Sequence, residues 1–230
     1  FQTEFLNYLL YTADLATFMN VDKIILSADI SNLSSFENYS TLSDLLKSQL
    51  IKDLPEVKEH FSKEIFLSIK EEDLEDLQEF DSNISGLVIK LYENLNVESP
   101  SVELLTMAFK NKFDSVIYPL TQNTGKKIII SIDYPSVRGA QNGCITFGEN
   151  CIDFNLLNRL SSDVNSTIET DLKLQVDIYQ AFLSAVNDTN WINGIISAGY
   201  NDQVSLQSPG SSVRGKPAAD VLWYWYPRLI

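Results

Sequence analysis

Apolar positions along the chain fall into two alternating kinds of run. Short β-branched blocks occur at Lys23 to Ile30 (KIILSADI), Glu64 to Ile69 (EIFLSI), Gly86 to Tyr92 (GLVIKLY), Lys126 to Tyr134 (KKIIISIDY) and Trp191 to Tyr200 (WINGIISAGY). Their length and flanking turn residues predict strands buried on both faces. Between them the spacing turns helical. Glu4 to Asn20 repeats through Phe5, Tyr8, Leu9, Ala13 and Ala16, with Asn20 as its stop; Leu42 to Phe61 follows, with Pro55 starting a new turn or a kink. Ser101 to Leu120, Asp171 to Val186 and Ala218 to Tyr226 complete the helices. KEEDLEDLQEF predicts an acidic helix with a solvated face; it lacks the glycine and ordered ligands of a calcium loop. Strand alternating with helix is the pattern of an α/β protein with a parallel sheet and crossover helices.

In such sheets ligands meet the downstream ends of the strands. Polarity rises there at Asp29, at Tyr92 and Glu93, at Ser131, Asp133 and Tyr134, and at Tyr200 and Asp202. Each has a second reading. Asp29 also suits the cap of the following turn, and Asp133 and Tyr134 also suit hydrogen-bond partners that order a loop. The long polar connection from Pro135 to Glu169 is the kind of insertion that carries function. No glycine-rich phosphate loop follows any strand, which removes support for a nucleotide-binding version, while an open doubly wound sheet still fits the spacing.

Composition narrows the classes further. The 230 residues are 44% hydrophobic, enough for a large core, and carry a net charge of -14. An acidic protein of this kind is a poor match for nucleic acid or anionic lipid. No transmembrane segment is predicted. The first residue is Phe1 rather than Met, which suggests a processed product or part of a longer protein. Cys144 and Cys151 have the wrong spacing for a redox or zinc pair, and His60 is the one histidine, so no metal or cofactor is expected. The two cysteines either close a short loop as a disulfide, the favoured reading, or remain thiols. A disulfide implies an oxidising, extracytoplasmic compartment. Sequons at Asn32, Asn38, Asn83, Asn165 and Asn187 add weak support for secretion. The run Trp223, Tyr224, Trp225, Tyr226 suggests a sugar platform, although aromatics on a closing helix more often pack inward.

GKKIIISIDYPSVRGA resembles the penultimate strand of the β-mannanase-like clan of retaining TIM-barrel glycoside hydrolases. DLKLQVDIYQAFLSAV resembles the helix after it, WINGIISAGYND the last strand, and SSVRGKPAADVLWYW the closing Arg-Gly-Lys-Pro-Ala helix. Upstream, YTADLATFMNVDKIILSADISNL is similar to the family's fourth strand with its preceding helix, and GLVIKLYENL to the sixth strand. The resemblance implies one domain, 1–230, forming part of a (β/α)8 TIM barrel and supplying about strands four to eight. An upstream segment or a protein partner would complete it.

Retaining glycosidases use two carboxyl groups roughly 5–5.5 Å apart. The resemblance puts the acid/base at Asp29, one methylene shorter than the family's Glu. It puts the nucleophile at Ser131, in the register set by Tyr134 and Ser136. A serine there does not form the usual glycosyl ester. Asp133 lies two residues on, on the same strand face, and replaces it only after a register shift. The family's last-strand Trp falls at Ser197, Ala198 and Gly199, with Tyr200 as the possible replacement. The expectation is a degenerate barrel, a pseudoenzyme that binds a glycan or a protein partner. The alternatives are an active, divergent hydrolase of β-linked polysaccharide using Asp29 and Asp133, and a structural subunit of an extracellular assembly.

Overall fold

The computed structural model of the chain describes residues 2–28, 39–71, 82–147, 150–152, 154, 167–198 and 206–229. Asp29, Tyr200, Asp202 and most of the expected acidic helix lie outside these residues. Hydrogen bonds order five strands β1-β2-β3-β4-β7, with a separate β5-β6 hairpin. Contacts gather into two compact units, Phe1–Lys90 with Thr124–Ile129, and Leu91–Asn123 with Ile130–Ile230.

The first unit holds α1 (Gln2–Phe18), β1 (Lys23–Ser27), α2 (Tyr39–His60), β2 (Glu64–Lys70), most of β3 (Gly86–Leu91) and the start of β4 (Lys127–Ile132). β1 pairs parallel to β2 and β2 parallel to β3. Asn20 stops α1 as expected: it takes a left-handed φ of 56°, and Val21 N–H closes on Ala16 O at 2.9 Å. A side chain at Gly86 would run into Lys127 O and the Phe66 ring, so only glycine permits that approach.

Three expectations fail here. β1 is half-buried rather than covered on both faces: it is the edge of the sheet, its burial alternates, and Ile25 is 45% exposed. Tyr8 points outward while Leu9, Ala13 and Ala16 turn in, because Tyr8 falls roughly 100° round the helix from the middle of that trio. α2 runs on through Pro55 instead of starting a new turn there; Leu50, Leu54 and Val57 around the proline are buried, and that packing outweighs the local penalty.

The second unit holds α3 (Val102–Lys112), a π turn (Phe113–Ile117), α4 (Tyr118–Thr124) up to Asn123, the rest of β4, β5 (Ile145–Phe147), β6 (Asn150–Ile152), α5 (Leu172–Asn187), β7 (Ile192–Ser197) and α6 (Ala218–Trp225). Ser101 caps α3 by accepting from Leu104 N–H, and Asp171 caps α5 by accepting from Leu174 N–H at 2.8 Å. The helix expected over Ser101 to Leu120 is interrupted by the π turn, just ahead of Pro119. Proline has no N–H for the helical ladder, and the widened turn takes up the mismatch. Phe109, Phe113, Phe182 and Tyr134 form the aromatic centre, with Phe109 and Phe182 edge-on at 5.6 Å. The closing helix departs from the inward packing of its aromatics: Trp223 is 79% exposed, and Trp225 is tied down by donating Nε1–H to Gln180 Oε1 at 3.0 Å.

Candidate functional site

β4 brings the singled-out residues to one place in the second unit. Ser131 is buried near the strand's end. The ladder extends one residue past the strand, where Asp133 N–H donates to Leu91 O at 2.9 Å, leaving Asp133 half-buried. Tyr134 then turns fully inward. Its hydroxyl donates to Glu93 O at 2.6 Å and its ring meets Phe109 edge-on, so it orders the loop from the interior rather than facing a ligand. Pro135 follows and cannot extend the ladder.

The segment after β3 lies against this exit. Tyr92 and Glu93 are half-buried, and the Glu93 carboxylate pairs with Lys112 at 3.6 Å. Leu95 N–H donates to Gln141 O at 2.8 Å. Gly143, at φ 76°, packs directly on the Glu93–Asn94 backbone with no room for a side chain. The next residue, Cys144, is joined to Cys151 by a disulfide across the β5-β6 hairpin, with a Cα–Cα distance of 5.5 Å. The favoured reading of the two cysteines therefore holds, and the insertion is stapled beside the strand exit. A cavity of about 340 Å³ lies beside the hairpin, lined by Arg138, Gly139, Ile145, Thr167, Ile168 and Glu169.

On β7, Ser197 shares a hydrogen bond with the Tyr179 hydroxyl of α5 at 3.1 Å. Burial pushes the Tyr179 phenol well above its ordinary value; the Ser197 contact opposes that and the Asp133 charge adds to it. Tyr179 is therefore neutral at ordinary pH and is a hydrogen-bonding group here rather than a base. Asp133 is the carboxylate that the described residues place just past β4. Among the described residues no group of three or more His, Cys, Asp or Glu is arranged to hold a metal. No described helix is long and apolar enough to cross a membrane.

Three residues matter more in the structure than the sequence suggests. Ser136 is fully buried; its N–H reaches Pro209 O at 3.1 Å and its hydroxyl donates to Ser208 O at 3.0 Å. Gln175 is fully buried on α5 and its amide donates to Tyr134 O and Ser211 O at 3.1 and 3.2 Å. Lys216 is buried ahead of α6. The available signal was polar side chains within otherwise small or apolar segments, which is faint.

No known protein family and no curated protein matches the sequence. Among solved structures the chain is similar to a GH113 β-mannanase of Alicyclobacillus acidocaldarius in complex with ManMIm. The TM-score is 0.70 at 12% identity, over 100% of this chain and 62% of that one. A GH113 β-1,4-mannanase complex matches at TM-score 0.68 and 13% identity, over 99% and 62%. A β-glucuronidase of an uncultured Clostridium matches at TM-score 0.54 and 12% identity, over 96% and 36%. The chain thus spans 62% of the length of the mannanases it matches. Its fold is that of part of a (β/α) barrel like theirs. At these identities the likeness settles the fold and leaves activity to be argued from the residues.

Proposed function

We propose that the chain is the greater part of a catalytically degenerate glycoside-hydrolase-like barrel that binds a glycan at the downstream ends of its strands. The observation that carries this reading is Ser131: a buried hydroxyl stands near the end of β4, where the resemblance puts a nucleophilic carboxylate. The barrel is completed by further βα units, from an adjoining segment or from a protein partner. Supporting this, the edge strand β1 exposes Ile25, and α1 exposes Tyr8, Tyr11, Leu15 and Phe18 at helical spacing. The Cys144–Cys151 disulfide supports an extracytoplasmic location.

The test uses the chain with whatever completes it in its source. Titration calorimetry against mannan, glucan and glucuronide oligosaccharides should give saturable binding, while reducing-sugar assays on the same polysaccharides stay at background. Sugar release above background, abolished by Asp133→Asn, would overturn the degenerate reading. A second reading has its own observation: Asp133 is a half-buried carboxylate whose backbone is pinned in place. That favours a divergent hydrolase with Asp29 as its acid/base, and sugar release lost in both Asp29→Asn and Asp133→Asn would establish it.

A further inference from the structure

Lys216 is 3% exposed, yet lysine is among the residues least often buried without a charged partner. Its ammonium donates to Ser136 Oγ at 2.8 Å and to Gly210 O at 2.6 Å. Both acceptors are neutral. Ser136 belongs to the segment leaving β4, and Gly210 to the stretch ahead of α6. The same two segments are bridged by Gln175 from α5 and by the Ser136 N–H bond to Pro209 O. On its other side the Ser136 carbonyl accepts from Asp171 N–H at 2.8 Å, at the start of α5.

We propose that Lys216 is a positioning residue: its buried amino group, shared between Ser136 Oγ and Gly210 O, clamps the segment leaving β4 to residues 208–212 and so fixes where Asp133 stands. The clamp is a property of the chain itself. Its consequence for ligand binding rests on the glycan-binding reading above.

The clamp has a pH signature that mere packing lacks. Burial lowers the Lys216 pKa from 10.5 to about 8. The titratable or charged groups on the surrounding segments include Asp133 and Tyr134 after β4, Asp171 at the cap of α5, the paired Lys173 and Asp177 and Tyr179 on α5, and Arg214 and Asp220 on its own stretch. Burial is the sole cause of the lowering, so none of these offsets it. Asp171 Oδ1 is engaged by Leu174 N–H, and the two phenols by Glu93 O and Ser197 Oγ. When the clamp opens, Lys216 returns to water and takes up a proton at any pH between its two values. Opening therefore becomes rarer as pH rises from about 8 toward 10.5, by about tenfold per pH unit, and levels off below 8.

The experiment follows amide hydrogen exchange at Ser136 and Asp171, whose N–H groups report the clamp, with the α5 amides as an internal control. In the wild-type chain, after correction for intrinsic exchange, protection of both amides should rise with pH above about 8. In Lys216→Met that rise should vanish, and at pH 7 both amides should open at least fivefold more often while α5 is unchanged. Ser136→Ala supplies a second variant should Lys216→Met fail to fold, and it should loosen the Asp171 amide likewise. Protection that is independent of pH in the wild type, or unchanged in the variants, overturns the proposal. Where the wild type binds a glycan, Lys216→Met should weaken that binding at least fivefold, and unchanged affinity overturns the positioning role. Absence of any glycan binding sinks the functional reading alone, and the amides still decide the clamp.

Discussion

At the starts of β1, β2 and β4, Lys23 and Lys127 both reach the Glu64 carboxylate near the surface: the two lysine side chains are each 51% exposed. Ahead of α6, Lys216 reaches two neutral oxygens in the interior. The first group has opposite charges in contact and solvent all round, so water already does most of what the partner does. The second has no compensating charge among the described residues and little solvent, so every contact it loses is left unreplaced. Contact for contact, the weaker-looking pair of hydrogen bonds is the one on which the local structure depends. It also grips Ser136, on the segment that follows Asp133 and Tyr134 out of β4.

The comparison predicts a descending series. The yardstick is Phe182→Ala, which empties a site edge-on to Phe109 and Phe113 and should cost about 3–5 kcal/mol in a urea melt. Gln175→Leu comes next. It keeps the volume near constant but strips donors from Tyr134 O and Ser211 O, for an expected loss of about 2–3 kcal/mol. A loss below about 0.5 kcal/mol would mean that water replaces the amide, and the contrast between the two regions would collapse. Reduction of Cys144–Cys151, separated by 7 positions, reopens a short loop and should cost at most about 2.5 kcal/mol by chain entropy. Because the hairpin is also held by Gly143 against Glu93 and Asn94, tryptic cleavage after reduction should spread no further than residues 138–169.

The sequence made the scaffold readable and the clamp nearly invisible, for a physical reason. Strands and helices follow from periodicity, which is local: β2, β3, β4 and α5 fall where the runs of Ile, Leu and Val put them. What misled was tertiary. KIILSADI has the composition of a doubly buried strand, yet β1 is an edge whose Ile25 faces out. β4 and the residues just past it carry Ser131, Asp133 and Tyr134 in one short stretch, as their order in the chain dictates. Their division of labour was only half legible: a loop-ordering role was open for Asp133 and Tyr134 alike, and nothing in DYPS says that the Tyr134 hydroxyl goes to Glu93 O. Lys216 was hidden for a like reason. Arg214 and Lys216 look equivalent in VRGKP, and only the packing of residues 208–212 on Ser136 makes one of them interior.

Glu64→Gln is the smallest effect and the other half of the contrast. Hydrogen bonds from Lys127 and then Lys23 hold the Glu64 carboxyl below its ordinary value, against a small opposing effect of burial. A carboxyl depressed in the folded state contributes stability that is present above its unfolded value of 4.5 and is lost as pH falls through the lower folded value. The wild type should therefore lose part of its melting temperature in that acid window, and Glu64→Gln should lose less. At pH 7 the substitution should change stability by under about 1 kcal/mol, and 1 M salt should shrink the difference further. The Lys216 signature has the same sign, protection gained as protons leave, but lies above pH 8, so the pH window and not the direction separates the two groups. If Glu64→Gln instead cost as much as Gln175→Leu, and salt left that cost untouched, the exposed cluster would be structural in the same sense as the buried one, and solvent exposure would not be what separates them.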